Sequence, residues 1–214
     1  MAMTTRTDQL AARFAAVNDT AIGAVEGCTA AQWRQLTVSE GWTVAATAHH
    51  IAVVQRAFVR LVTTLATGQT YSPSSSMDEI DRGNARHAEE YAAVGKPETL
   101  ALLRTSGDAI ARLLHGLGDE QFDRSAGTFG GRELRVAQVV EYVVIGHARY
   151  HLASIQATLA AVGSPTARSR SSARVPPDRS RWRAKAPPLE APPLSMRDGA
   201  LPRCAPGCAS VRRV

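Results

Sequence analysis

Two of the six histidines in this chain are spaced to act together on one helix. His147 and His151 are four residues apart in the segment IGHARYHLASIQATL. Residues four apart lie on the same side of an α-helix, so both imidazoles can reach one point. Their side of the helix is mainly apolar and is expected to face the core; it also carries Ala137, Val140, Val144, Ile155 and Thr158. Buried imidazoles without partners are costly, and a shared metal ion would satisfy both.

A third histidine lies on another predicted apolar face. His50 shares its face with Ala46, Val53, Ala57 and Leu61, whereas His49 is rotated by about 100° towards the flank. Three histidines without a fourth protein ligand describe an open metal site, in which one position remains for water or substrate. The alternative is three ordinary core histidines, hydrogen-bonded to backbone or hydroxyl groups. The spacing favours a metal site at His50, His147 and His151.

The other histidines and the cysteines have simpler interpretations. His115 is expected at a helix C-terminus, where a cation suits the helix dipole. His87 lies in the polar segment DRGNARHAEE and is expected to be solvated. Cys28 is expected to be a small buried residue rather than a nucleophile. Cys204 and Cys208 form a pair without the further ligands that structural zinc needs.

These residues are positioned by a chain that is predicted to be all-α. Apolar periodicity predicts long helices, which are followed by a turn-rich loop at 119–134, with room for a short hairpin, and by a last helix. The predicted helices cover 7–27, 43–66, 76–94, 98–116 and 135–162, of which the third and fourth form one unit that is bent or split near Pro97. Four such units with short connections indicate a four-helix bundle. The 43–66 helix is apolar nearly all round, so it lies centrally or buries a second face in a homodimer.

Charge divides the chain into a body and a tail. The net charge of +6 arises after Gly163, because residues 164–214 contain 11 basic and 3 acidic residues, with nine of the 11 prolines. Residues 1–163 contain 14 basic and 16 acidic residues. We therefore predict a helical bundle over 1–163 and a disordered Pro- and Arg-rich tail over 164–214.

The composition excludes several classes of protein. No stretch has the roughly 18 uncharged apolar residues of a membrane span, and the N-terminus lacks the apolar core of a secretory signal. We expect a cytoplasmic protein without membrane contact. The tail is expected to bind nucleic acid only non-specifically, through phosphate contacts, or to have no fixed role.

Three segments, in order, resemble the DinB-like superfamily. GWTVAATAHHIAVVQ resembles its second-helix signature, with a histidine (His50) eight residues after Trp42 and an aliphatic residue following. MDEIDRGNARHAEEYA resembles its Ile-Asp-x-x-Asn stretch, which here includes Asn84. IGHARYHLASIQATL resembles its last-helix His-x-x-x-His signature, here His147 and His151. The resemblance covers roughly residues 5–162.

The resemblance implies a four-helix bundle that holds zinc or nickel through His50, His147 and His151. Members of this superfamily include mycothiol-dependent maleylpyruvate isomerases and S-transferases that use mycothiol or bacillithiol, so it implies a thiol-dependent enzyme acting on a small electrophile. Metal-bound water would make it a hydrolase instead. By the resemblance, Asn84 hydrogen-bonds substrate or closes the site, and the alternative is a solvated helix residue. The flanking Arg82 and Arg86 are expected to meet carboxylates of a thiol cofactor, and the alternative is that both are ordinary surface arginines. The alternative is a non-catalytic metal-binding module in stress response or protein interaction.

Overall fold

The fold was analysed in a computed structural model that describes residues 5–69, 76–129 and 132–163. The first half of the chain forms α1 (Arg6–Gly27), the single turn α2 (Ala30–Trp33) and α3 (Val44–Ala66). The second half forms α4 (Met77–Glu90), α5 (Lys96–His115), α6 (Asp119–Asp123), a hairpin of β1 (Ser125–Phe129) and β2 (Arg132–Arg135), α7 (Val136–Gln138), a π-helical segment (Val139–Ile145) and α8 (Gly146–Gly163).

Four long helices form the predicted bundle. α3 packs between α5 and α8, and α1 also packs against both of them, so α1 and α3 occupy opposite corners. α4 lies outside this group, against α3. The split near Pro97 that the sequence predicts is therefore real, and α5 is the part that enters the bundle.

Helix starts follow the capping residues that the sequence provides. Thr5, Thr29 and Ser76 each form a capping box with the residue three positions later. Thr43 accepts a hydrogen bond from the Ala46 amide at the start of α3. These bonds satisfy backbone donors that the first turn of a helix leaves free. They explain why the predicted and observed helix starts agree so closely.

α3 is central, as its composition predicts. Every residue from Val44 to Ile51 is buried, on all sides of the helix. Contacts within the chain already cover this surface, so the burial does not require a second copy. The homodimer remains a prediction.

The last predicted helix is not uniform. Seven residues before α8 form a π-helical segment, in which the Gly146 amide donates to the Glu141 carbonyl five residues earlier. A π turn widens the helix and shifts the phase of its side chains. Here Val139, Val140 and Val143–Ile145 are all buried. Regular α-helix resumes at Gly146, so the spacing of His147 and His151 is preserved.

Two further expectations are confirmed, and others lie outside the described residues. The hairpin is present, although β2 ends at Arg135, one residue beyond the predicted loop at 119–134, and the sequence does not predict the helical turn α6. Cys28 is buried, and burial raises the pKa of its thiol. The expectations for residues 164–214, including Cys204 and Cys208, fall outside the described ranges. Within those ranges, no helix combines the length and apolar character needed to cross a membrane.

Candidate metal centre

The three predicted ligands meet where α3 faces α8. His50 lies in the first half of α3, and His147 and His151 lie one turn apart at the start of α8. One potential ligand atom from each of His50, His147 and His151 lies within 4.8 Å of the others. The structure therefore brings together the complete set that the sequence predicted.

The geometry of the pair His50 and His147 fits a shared cation. Their Nε2 atoms lie 3.2 Å apart. In a tetrahedral zinc site with metal–nitrogen bonds of about 2.0–2.1 Å, two ligating nitrogens lie about 3.3 Å apart. The Nδ1 atoms of both rings are buried without a hydrogen-bond partner, so the surrounding protein does not satisfy these rings as it would ordinary core histidines. Three imidazoles are a suitable donor set for zinc or nickel.

The electrostatic environment keeps two of these rings neutral. Burial lowers the pKa of His50 well below its ordinary value, and the neighbouring histidines lower it further. Burial, followed by the charge of His151, also lowers the pKa of His147. A neutral imidazole offers the lone pair that a metal needs. Both residues are thus prepared to act as ligands at neutral pH.

Aromatic rings surround the three histidines. Trp42 lies parallel to His151 at a centroid distance of 6.0 Å and edge-on to His50 at 5.2 Å. Phe58 meets His147 edge-on at 5.4 Å. Such rings exclude water from one side of the site, which strengthens electrostatic interactions within it.

Glu40 is a buried carboxylate beside the site that sequence analysis did not identify. Its Oε1 lies 2.8 Å from Nδ1 of His151, and its Oε2 accepts a hydrogen bond of 2.5 Å from Ser154 Oγ. Burial opposes ionisation of Glu40, but the hydrogen bond and charge of His151, with hydrogen bonds from Ser154 and Thr37, outweigh it and lower its pKa. Glu40 lies in the loop between α2 and α3, where helical periodicity gives no indication of its direction.

The expectation that His87 is solvated is wrong. Its side chain is 3% exposed, and its Nε2 lies 3.5 Å from Nδ1 of His49, which is also buried. Tyr91 stacks on His49 at 3.9 Å, and His87 meets His50 edge-on at 5.1 Å. The face of α4 that carries His87 packs against α3. The polar residues around His87 lie on the opposite, outer face of α4. His49 accordingly faces α4 rather than solvent.

The remaining predicted residues stay on the surface or near it. Arg82 and Arg86 are exposed on α4, and Asn84 is partly buried one turn before His87. Their predicted role in substrate binding stays a prediction. His115 ends α5 and is exposed, as expected for a residue at a helix C-terminus. Glu141 forms ion pairs with Arg13 and Arg149.

Comparison with known proteins supplies a family and a fold. Residues 13–155 match the model of the DinB superfamily. No curated protein sequence matches the chain. Among solved structures, YfiT from Bacillus subtilis, described as a probable metal-dependent hydrolase with an unusual four-helix bundle topology, matches with a TM-score of 0.60 and 20% identity. That match covers 73% of this chain and 87% of YfiT.

A second solved structure has the same fold within a longer protein. The mycothiol-dependent maleylpyruvate isomerase matches with a TM-score of 0.57 and 13% identity, over 72% of this chain. The match spans 63% of the isomerase, so more than a third of that protein has no counterpart here. At these identities, both likenesses establish the four-helix bundle.

Proposed function

The chain belongs to the DinB superfamily, and from that membership we propose that it is a metal-dependent enzyme acting on a small electrophilic molecule. The observation that carries the proposal is the meeting of His50, His147 and His151, whose ligand atoms lie within 4.8 Å of one another. Three histidine ligands leave a coordination position for a reactant, as catalytic zinc sites do.

In this proposal, each side chain at the site has a different role. A divalent zinc or nickel ion would be held by the three histidines and would lower the pKa of a bound thiol or water, supplying a nucleophile at neutral pH. His50 and His147 contribute neutral rings, because burial lowers the pKa of each. Trp42 and Phe58 limit access of water from their side of the site. None of the three histidines needs to transfer a proton in this arrangement.

The reaction we favour is transfer or isomerisation that depends on a small thiol of the mycothiol or bacillithiol type. The isomerase with the same fold uses mycothiol, which supports this choice. In this proposal Arg82 and Arg86, exposed on α4, bind carboxylates of the thiol cofactor, and Asn84 hydrogen-bonds the substrate.

Hydrolysis by metal-bound water is the second candidate. The Bacillus subtilis neighbour is described as a probable metal-dependent hydrolase and is covered over most of its length. The same three histidines would serve both reactions. Turnover that requires an added thiol distinguishes the first reaction from the second. A metal-binding module without catalysis is the remaining alternative, and it predicts bound metal without turnover of any kind.

The first experiment measures bound metal in the purified, untagged protein by elemental analysis. We expect one divalent ion per chain, and its loss in His50→Ala and in His147→Ala. His115→Ala is the matched control, because His115 is exposed at the end of α5 and should leave the metal content unchanged. The metal-loaded protein is then assayed with a haloaromatic electrophile, with and without a thiol. Absence of metal after reconstitution with zinc and with nickel would refute the proposal.

A further inference from the structure

We propose that Glu40 is a positioning residue for the metal site, which fixes His151 with its proton on Nδ1 and leaves the Nε2 lone pair free for a cation. The inference rests on the proposed metal site and deepens it, because it assigns a role to a residue outside the ligand set. Glu40 lies 111 residues before His151 and reaches it from the loop between α2 and α3.

The first step of the argument is the chemistry of the contact. The side chain of Glu40 is 1% exposed, and its Oε1 lies 2.8 Å from Nδ1 of His151. An ionised carboxylate only accepts hydrogen bonds, so the ring nitrogen that faces it must carry a proton. In a neutral imidazole the other nitrogen then holds the lone pair. Glu40 therefore selects the tautomer of His151 that can bind a cation through Nε2.

The second step is that Glu40 has few other partners. Within the ranges that the structure describes, His151 is the only basic side chain within 4.0 Å of its carboxylate. Its other oxygen is satisfied by the hydroxyl of Ser154, at 2.5 Å. A buried carboxylate is expensive unless it is paired and hydrogen-bonded. The negative charge of Glu40 therefore acts on His151 and, through this ring, on the cation site.

The third step is the rigidity of the loop that carries Glu40. The amides of Val38 and Ser39 donate to the hydroxyls of Thr158 (3.1 Å) and Ser154 (3.2 Å) on α8, the helix that also carries His151. Within the loop, the Gly41 amide donates to the Thr37 carbonyl, and Gly41 has a φ of 70°, which favours glycine. The loop and α8 therefore hold the carboxylate in register with the ring.

Partners of this kind are known to orient metal-binding histidines. A carboxylate that accepts from the second ring nitrogen fixes the orientation of the ring and increases its donor strength. Removing such a partner typically weakens metal binding by about 10- to 100-fold. We expect Glu40→Ala to lower the affinity for metal by this factor. Glu40→Gln should lower it less, because the amide oxygen still accepts the hydrogen bond, although it carries no charge.

The test begins with the metal-free full-length protein, so that it does not depend on metal binding. Two-bond ¹H–¹⁵N correlation NMR at pH 8 reports which ring nitrogen carries the proton. We expect the Nδ1–H form of His151 in the wild type and in Glu40→Gln, and a mixture with the Nε2–H form in Glu40→Ala. Ser154→Ala leaves the carboxylate in place but removes its hydrogen bond from Ser154 and the loop contact from the Ser39 amide, and it should change the tautomer population of His151 less than Glu40→Ala does. It is the second variant if Glu40→Ala does not fold.

The second readout is affinity for Zn²⁺, measured by competition with a chelator, with the ligand-field spectrum of the Co²⁺-substituted protein as a check on geometry. Glu141→Ala is the matched control, because Glu141 pairs with Arg13 and Arg149 and not with any of the three histidines. The Zn²⁺ affinity of this variant should equal that of the wild type.

The outcomes separate this inference from the proposed function. An Nε2–H or doubly protonated His151 in the wild type, or a tautomer that Glu40→Ala leaves unchanged, would overturn the inference even if the protein binds zinc. Equal zinc affinity in wild type and Glu40→Ala would overturn it as well. If the tautomer depends on Glu40 but the wild type binds no metal, the proposed function fails while the positioning of His151 by Glu40 stands.

Discussion

The Nε2 atoms of His50 and His147 face each other at 3.2 Å, although 97 residues separate them in the chain. Two neutral imidazoles in this arrangement can share only one proton, and their Nδ1 atoms have no partner. The pair is therefore poorly satisfied by the protein alone. A cation that accepts both Nε2 lone pairs would replace this one shared proton with two metal–nitrogen bonds.

Metal binding should therefore raise the stability of the folded protein. A ligand that binds only the folded state stabilises it by about 2.7 kcal/mol at a free concentration 100 times its dissociation constant. We expect Zn²⁺ to raise the melting temperature of chelator-treated protein, measured by circular dichroism. His147→Ala should melt at the same temperature with and without Zn²⁺, and His115→Ala should respond as the wild type does. An equal response of His147→Ala and wild type would exclude His147 as a ligand.

Acid should destabilise the protein through His87. Burial, and next the charge of His49, lower the pKa of His87 to about 4 in the folded protein, against about 6.5 in an unfolded chain. Between these values the unfolded state binds more protons, so the free energy of unfolding falls as the pH falls from about 6.5 to about 4. The loss is about 3 kcal/mol over this range for a shift of this size.

Urea denaturation of the metal-free protein at a series of pH values measures this effect. His87→Gln removes the titrating group, and the free energy of unfolding should then depend less on pH between 6.5 and 4. His115→Gln is the control, because His115 is exposed, and it should keep the slope of the wild type. A slope that His87→Gln leaves unchanged would contradict the burial of a neutral His87.

The meeting of His50, His147 and His151 could be predicted from the sequence because it depends on local periodicity. The four-residue spacing of His147 and His151 determines their common face in any α-helix, and α8 is regular over both residues. His50 could be added because its neighbours along α3 also form an apolar face. The π-helical segment could not be predicted, because the apolar pattern of Val139–Ile145 fits an α-helix equally well.

The surroundings of the ligands depend on contacts that no local pattern contains. Glu40 reaches His151 because a loop is held against α8 by hydroxyl groups of Ser154 and Thr158. His87 lies in a polar segment, and only the packing of α4 on α3 shows which of its faces is covered. The helical phase of α4 places Ile80, Asn84 and His87 on one side, and this pattern favours burial of His87.

The arginines of α4 provide a test of the thiol-dependent reaction. Arg82 and Arg86 are exposed, so replacing them should not alter the fold. If they bind carboxylates of a thiol cofactor, we expect Arg82→Ala and Arg86→Ala each to raise KM for the thiol by up to about fivefold, since an exposed ion pair contributes about 0.2–1 kcal/mol. Metal content and KM for the electrophile should stay the same.

Steady-state kinetics with the thiol as the varied substrate gives this measurement. Arg112→Ala is a matched control, because Arg112 is exposed in the last turn of α5. A KM for the thiol that is the same in wild type, Arg82→Ala, Arg86→Ala and Arg112→Ala would remove the two α4 arginines from the cofactor site.

The bundle is held in register by a buried polar network that a single methyl group should disrupt. Gln55 of α3 donates through Nε2 to Asn18 Oδ1 of α1 (2.9 Å), and its Oε1 lies 2.6 Å from Ser106 Oγ of α5. Gly107 lies against Asn18, so closely that a Cβ there would approach the Cγ of Asn18 to 2.8 Å. Asn18 cannot move aside without breaking its bond to Gln55 and leaving a buried amide unsatisfied.

We therefore expect Gly107→Ala to lower the free energy of unfolding by about 1–3 kcal/mol, the usual cost of overpacking a core. Gly23→Ala is the matched control, since Gly23 lies inside α1 with no atom within 4 Å of a Cβ built there. There alanine should stabilise the helix by about 0.5–1 kcal/mol. Urea denaturation of both variants measures these opposite changes in the free energy of unfolding. A stabilising Gly107→Ala would mean that Asn18 can move away from position 107 without losing its bond to Gln55.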